Sequence, residues 1–358
     1  MSGGRLERWV RPEIRALSAY HVPDASGLIK LDAMENPWPL PGDLRQTIAA
    51  RLAEVPVNRY PDPQATVLGQ AIRALWQIPD DVGMLFGNGS DELIQLIAMV
   101  LGGPGRTLLS VEPGFVMYRM IATFTQSRYV GVDLRPDFSL DTEAVLAAIR
   151  LHEPAVCFLA CPNNPTGNLF DADALRAIVE ASPGYVVIDE AYTAFTDADH
   201  LDWINRHENV LVMRTLSKVG LAGLRLGMLF GRPELIEEIN KVRLPYNINV
   251  LTQTAARLAV EQFAVLETQT RQLRASRDTM LDALAALPGV EPFPSQANFV
   301  LVRVPDAPAW FAGLKAGGIL VKNLHGAHPL LAHCLRLTVG APEENDTLLS
   351  ALEALARG

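Results

Sequence analysis

The spacing of apolar positions along this chain switches back and forth between two periods. Short continuous apolar runs at 84–86, 107–111, 129–132, 156–160, 185–188 and 210–213 predict buried strands. Between most of them apolar residues recur every three or four positions, which predicts helices over 92–101, 118–124, 141–150 and 171–181. Strands that alternate with helices in this way predict an α/β fold with a mostly parallel sheet covered on both faces, a three-layer large domain. Ligands of such sheets sit at the carboxyl ends of the strands.

The flanks read differently. Helices are expected over 43–52 and 64–76, Pro233 opens another at a first-turn position that tolerates proline, and 250–287 reads as one long helix or two that lead out of the large domain. After Pro288 the pattern becomes strand (298–302), helix (309–316), strand (319–321), strand (335–339) and helix (343–356), a smaller α+β domain. Residues 1–40 contain Pro12, Pro23, Pro37 and Pro39 and a short alternating piece at 28–32, and read as an irregular arm that joins the small domain. The expected division is therefore an arm over 1–40, a large domain over 41–287 and a small domain over 288–358.

Composition narrows the class. With 358 residues, 49% of them hydrophobic, the chain can fill a sizeable core. A net charge of -9 with no basic tract argues against a nucleic-acid partner. The longest apolar stretch, 93–101, contains Gln95 and falls well short of a bilayer span, and the first thirty residues contain no apolar core of signal-peptide length, so no membrane partner and a cytoplasmic location are expected. Cys157, Cys161 and Cys334 are odd in number and read as buried thiols rather than a disulfide or zinc framework.

The stretch 209–230 carries the densest candidate chemistry. An apolar strand breaks into Arg214-Thr215-Leu216-Ser217-Lys218, and Arg225 follows before a second apolar run at 226–230. An amine presented among hydroxyls and a guanidinium at a strand end suits an aldehyde that carries a phosphate, which suggests pyridoxal phosphate with Lys218 bonded to its aldehyde. That cofactor also needs a buried carboxylate for its ring nitrogen, a donor for its phenolic oxygen, a flat neighbour for its ring and N–H or O–H groups for its phosphate. Asp189 ends the 185–188 run, where it is either such a carboxylate or a turn former. Tyr192 and Asn164 stand at strand ends suited to the phenolic oxygen, although the turn around Asn164 also reads as a plain loop. Phe115 is a ring neighbour or a core aromatic, and Gly87-Asn88-Gly89-Ser90-Asp91 opens a helix whose N–H groups form an anion site.

In this order and spacing, Pro162-Asn163-Asn164-Pro165-Thr166-Gly167, Asp189-Glu190-Ala191-Tyr192 and Ser217-Lys218 followed by Gly223-Leu224-Arg225-Leu226-Gly227 resemble the fold type I pyridoxal-phosphate aminotransferases. Asp32-Ala33-Met34-Glu35-Asn36-Pro37, Arg59-Tyr60-Pro61-Asp62, Thr215-Leu216-Ser217-Lys218 and Cys334-Leu335-Arg336-Leu337-Thr338-Val339-Gly340 narrow the resemblance to the histidinol-phosphate aminotransferase family, from about Arg11 to the C-terminus. The resemblance implies that Lys218 holds the cofactor's aldehyde, Asp189 its ring nitrogen, Tyr192 and Asn164 its phenolic oxygen, and Gly89, Ser90, Asp91, Thr215, Ser217 and Arg225 its phosphate. It implies a homodimer in which Tyr60 reaches the partner's cofactor phosphate. It implies histidinol phosphate, glutamate and 2-oxoglutarate as substrates, with Arg336 on their acidic ends and Lys322, Asn36 and Tyr20 lining the substrate site. Two positions depart from the pattern. Phe115 stands where relatives often have tyrosine, and Lys322 stands where some have a second phosphate-binding arginine, replacing a bidentate fork with a point charge.

Rival readings are an aromatic aminotransferase or a phosphothreonine decarboxylase of the same fold, which the two cations Lys322 and Arg336 are expected to disfavour or share. A ligand-sensing module without catalysis lacks the expected attached DNA-binding segment. A nucleotide-binding protein lacks the G-x-G-x-x-G fingerprint and a P-loop lysine.

Overall fold

The computed structural model describes residues 3–19 and 22–357. In chain order the strands are β1 (Ile29–Leu31), β2 (Gly83–Asn88), β3 (Thr107–Glu112), β4 (Arg128–Asp133), β5 (Val156–Ala160) and β6 (Tyr185–Asp189). They continue with β7 (Val210–Thr215), β8 (Leu226–Gly231), β9 (Glu291–Pro292), β10 (Phe299–Arg303), β11 (Ile319–Asn323) and β12 (Cys334–Thr338). Seven of them form one sheet in the order β2-β8-β7-β6-β5-β3-β4. Its β7-β6-β5-β3-β4 portion is parallel throughout, and β8 runs antiparallel to both of its neighbours. The expected mostly parallel sheet is therefore present, with one reversed strand.

Side-chain alternation explains the three layers. Cys157 and Leu159 of β5, Val186 and Ile188 of β6, and Val210 and Val212 of β7 point into one core cluster. Their neighbours Val156, Phe158, Val187, Leu211 and Met213 point into another. Helices Thr66–Trp76, Thr142–His152, Ala172–Ala181 and Val250–Glu261 bury Leu68, Ile72, Val145, Ile149, Leu175, Ile178 and Ala256 on the first face. Helices Gly89–Leu101, Val116–Phe124 and Pro233–Asn240 bury Leu93, Ile97, Tyr118, Ile121 and Ile239 on the second. Asp141, Asp171 and Asn249 cap their helices by accepting from backbone N–H groups of the first turn.

The second sheet has the order β1-β11-β12-β10-β9 and its own apolar cluster, which includes Leu31, Phe299, Val321, Leu335 and Leu348. β1 lies parallel to β11 in the register Ile29↔Ile319, so the N-terminal segment joins this sheet. The stretch 250–287 is two helices, Val250–Glu261 and Ala264–Ala285. The arm is less irregular than expected, since Gly3–Trp9 and Pro12–Arg15 are helical. Pro12 occupies a first-turn position where its missing N–H costs nothing, which is why the proline starts a helix there instead of preventing one.

Candidate active site

Parallel pairing brings the candidate residues together. Ala160 at the end of β5 is in register with Asp189 at the end of β6, and Asp189 with Met213 of β7. The loops that leave these ends carry Asn164, Tyr192 and Lys218. β8 and β2, paired through Gly227↔Gly87, bring the turn around Gly89 alongside. The result is a cavity of about 550 Å³ of empty space, part of it open to solvent, lined among others by Ser90, Phe115, Asn164, Asp189, Tyr192 and Lys218.

Asp189 lies at the floor, 4% exposed. Its Oδ2 accepts from the Tyr118 hydroxyl at 2.7 Å and its Oδ1 from the Ala191 N–H at 3.1 Å. Burial pushes its pKa up to about 6, opposed by those two donors. It is thus a carboxylate at neutral pH, and among the described residues no lysine, arginine or histidine forms an ion pair with it. Lys218 sits in the turn that follows β7, where its Nζ donates to the Ala33 carbonyl at 3.3 Å and lies 5.7 Å from the centre of the Tyr192 ring. Burial, followed by the charge of Arg336, pushes its amine down to about 8, so a nucleophilic fraction exists near neutrality.

A chain of hydrogen bonds leads from the cavity to Arg336, which with Lys322 lies outside its lining. Arg336 Nη1 donates to Asn164 Oδ1 at 2.6 Å, Asn164 Nδ2 donates to the Tyr192 hydroxyl at 3.2 Å, and Arg336 Nη2 donates to the Asp32 carbonyl at 2.8 Å. Arg336 comes from β12, opposite Lys322 of β11. Burial and the charge of Arg336 lower the Lys322 pKa.

At the other end, the Gly89–Leu101 helix begins at the cavity, with Ser90 and Asp91 of its first turn in the lining. Thr215 and Ser217 are hydrogen-bonded hydroxyl to hydroxyl at 3.0 Å, and Arg225 pairs with Asp91 at 3.2 Å. Gly89 has φ +76°, and a Cβ there would lie 2.7 Å from Arg225 Nη2, so only glycine lets the guanidinium close over the turn.

These groups fit pyridoxal phosphate. A buried carboxylate without a cation suits a protonated ring nitrogen, an amide and a phenol suit the phenolic oxygen, Phe115 offers a flat face, and a helix N-terminus with hydroxyls and a guanidinium suits a phosphate.

Other expected residues fall elsewhere. Tyr60 is 81% exposed and stacks on Tyr246 with ring centres 4.5 Å apart, outside the cavity lining. Asn36 braces the lysine turn from behind, with its Nδ2 donating to the Val219 carbonyl at 3.1 Å and to Gln269 Oε1 at 2.9 Å. Tyr20 lies outside the described residues. Sequence reading missed Tyr118, which looks like one more apolar position of a helix, and Met34, which lines the cavity. It also missed the buried Glu190, whose Oε2 lies 2.7 Å from Arg214 Nε and whose Oε1 meets His200 Nδ1 at 2.8 Å. Glu190 adjoins Asp189, and Arg214 adjoins Thr215. A charged residue beside each strand-end motif was the available signal. Cys157 and Cys161 are buried and free, with burial pushing both thiols up to about 12, which leaves them inert.

Comparison with known proteins agrees with this geometry. The model of the family described as aminotransferase class I and II matches residues 26–352. The histidinol-phosphate aminotransferase of Chromobacterium violaceum is 56% identical over 97% of this chain and 98% of its own length. Histidinol-phosphate aminotransferase 2 of Nitrosococcus oceani is 52% identical over 99% of both. The crystal structure of histidinol-phosphate aminotransferase from Sinorhizobium meliloti in complex with pyridoxal-5'-phosphate superposes with a TM-score of 0.86 at 25% identity, covering 97% of each chain. With a family match over nearly the whole chain and a cavity built for the cofactor, this chain belongs to the class I and II aminotransferases and is a pyridoxal-phosphate-dependent transaminase.

Proposed function

We propose that this chain works as a cytoplasmic homodimer in histidine biosynthesis, moving an amino group from L-glutamate to imidazole-acetol phosphate to give 2-oxoglutarate and L-histidinol phosphate. The observation that carries the substrate choice is the pair of cations Arg336 and Lys322, opposite each other on β12 and β11, with Arg336 linked through Asn164 to the cofactor end. The relatives from Chromobacterium violaceum and Nitrosococcus oceani, more than half identical over almost their full length, carry this activity in their names.

Bound pyridoxal phosphate supplies an aldehyde that bonds amines and a protonated ring that withdraws electrons from the substrate's α carbon. Lys218 holds the aldehyde, Asp189 the ring nitrogen, Asn164 and Tyr192 the phenolic oxygen, Phe115 the ring face, and Ser90, Thr215, Ser217 and Arg225 the phosphate. Once the substrate's amine has displaced it, the Lys218 amine takes and returns the proton at the α carbon. Arg336 grips the carboxylate of glutamate in one half-reaction and the phosphate of histidinol phosphate in the other. Glutamate and histidinol phosphate must use the same grip in turn, a ping-pong sequence.

The homodimer is supported by the exposed apolar residues Val57, Tyr60, Leu244 and Tyr246, with Tyr60 turned away from its own cavity. Three buried free thiols agree with a reducing compartment.

The test is a side-by-side assay of L-histidinol phosphate, L-phenylalanine and O-phospho-L-threonine as amino donors to 2-oxoglutarate. Glutamate formation at much lower concentrations of histidinol phosphate than of phenylalanine is expected. A preference for phenylalanine moves the protein to the aromatic aminotransferases, and carbon dioxide release from phosphothreonine moves it to the decarboxylases.

A further inference from the structure

A buried tyrosine that no sequence motif pointed to sits directly behind the cofactor carboxylate. Tyr118 lies in the first turn of the Val116–Phe124 helix, one turn after Phe115, and is 1% exposed. Its ring stacks on Phe158 with centres 4.9 Å apart and meets Phe115 edge-on at 5.5 Å. A phenylalanine would fill the same space. The hydroxyl is therefore an addition that packing does not require, and it is costly to bury unless it donates. It donates to Asp189 Oδ2 at 2.7 Å, the length of a charge-assisted bond.

We propose that Tyr118 is a positioning residue for the cofactor's ring nitrogen, fixing the Asp189 carboxylate in place and holding it in its charged form. Asp189 has few other means of staying charged. Its remaining donor is the Ala191 N–H, and the negative charges of Asp91 and Glu190 act against it, as burial does. The tyrosine itself cannot take over the charge, since burial and the neighbouring carboxylate push its own pKa well above the ordinary phenol value. The phenol thus donates across the whole working range. The same helix turn places Phe115 against the face of the ring and Tyr118 behind its nitrogen partner, so one element sets both contacts.

This inference deepens the transaminase reading and rests on it, though not on the choice of histidinol phosphate, because glutamate alone suffices for the test. Wild-type protein and Tyr118→Phe are each reconstituted with pyridoxal phosphate and with an analogue in which a C–H replaces the ring nitrogen. Cofactor Kd, the glutamate half-reaction and the pH at which the bound cofactor's absorbance changes are measured for each. With the natural cofactor, Tyr118→Phe is expected to weaken Kd and slow the half-reaction by about 10-fold, the size of one lost hydrogen bond to a charged group. The acid side of its pH profile should move upward. With the C–H analogue, which offers Asp189 no N–H, wild type and variant should bind with equal Kd. An equal loss of affinity for both cofactors would assign Tyr118 to packing alone and overturn the proposal, as would no change in either Kd or the acid limb. If wild-type protein fails to take the amino group from glutamate, the transaminase reading fails, and the Kd comparison still decides the role of Tyr118.

Discussion

The two ends of the cavity are built on different principles. At the cofactor end, Asn164, Asp189 and Lys218 leave the carboxyl ends of three neighbouring parallel strands, whose register fixes their separations. Asp189 is held by Tyr118 from a helix packed on the same sheet, while Asn164 and Lys218 are also held from the other side, by Arg336 of β12 and by the Ala33 carbonyl just after β1. At the proposed substrate end, Lys322 and Arg336 come from the second sheet and Asp32 follows its strand β1; Arg336 bonds Asn164 at 2.6 Å, and Ala33, next to Asp32, accepts from Lys218 at 3.3 Å. In the proposed function, the chemistry is thus set mainly at the ends of the parallel strands, and recognition by a separate sheet joined to them through a few hydrogen bonds. Substitutions at the two ends should therefore separate cleanly into losses of rate and losses of affinity.

The largest effect belongs to the cofactor end. Lys218→Ala removes the amine proposed to move the α proton while leaving Ser90, Thr215, Ser217, Arg225 and Asp189 in place, so the protein should still bind cofactor. Single-turnover conversion of glutamate to 2-oxoglutarate should fall by about 10⁴-fold or more, with substrate affinity little changed. A variant within tenfold of wild type would remove Lys218 from the chemistry and dissolve the distinction between the ends.

Next comes Arg336→Ala. In the proposed function it deletes charge-assisted bonds to the acidic end of both substrates, and kcat/KM should drop by about 10² to 10³ for glutamate and histidinol phosphate alike, mostly through KM. A fall confined to kcat would mean that the Arg336–Asn164–Tyr192 chain acts on the cofactor rather than the substrate.

The contrast between the ends also explains what the sequence could reveal. Lys218, Asp189 and Asn164 were legible because a polar residue at the end of an apolar run is costly in a core and must be explained locally. The sheet was legible from the same runs. The reversal of β8 was not, because Leu226 to Gly231 is buried on both faces and reads identically in either direction. Tyr118 was hidden because its partner lies 71 residues away and its helix is amphipathic without it. Arg336 could be placed only by resemblance, since its contact with Asn164 spans 172 residues, and Tyr60, exposed and stacked on Tyr246 outside the cavity lining, has no role that a local pattern describes.

A smaller effect links the two ends through pH. The Lys218 amine, pushed down to about 8 first by burial and then by Arg336, is protonated and unreactive below that value. The rate at which cofactor-free protein bonds pyridoxal phosphate should rise by about tenfold per pH unit and level off above about pH 8. Arg336→Ala removes the repelling cation, so the midpoint should move upward. A midpoint that stays fixed would show that the substrate end exerts no field on the lysine.

The smallest effect distinguishes the two cations of the substrate end from each other. Lys322 is half-buried, carries a point charge rather than a fork, and has its pKa lowered first by burial and then by the charge of Arg336. A doubly charged phosphate repays that repulsion more fully than a singly charged carboxylate does. Lys322→Ala should therefore raise KM for histidinol phosphate by about 5- to 10-fold, the value of one partly screened charge pair, and shift KM for glutamate less than about twofold. Lys322→Arg, which supplies a bidentate fork, should recover or exceed wild-type affinity for the phosphate. Equal losses for both substrates would make Lys322 a general attractor of anions, and the discrimination between phosphate and carboxylate would then rest on Arg336 alone.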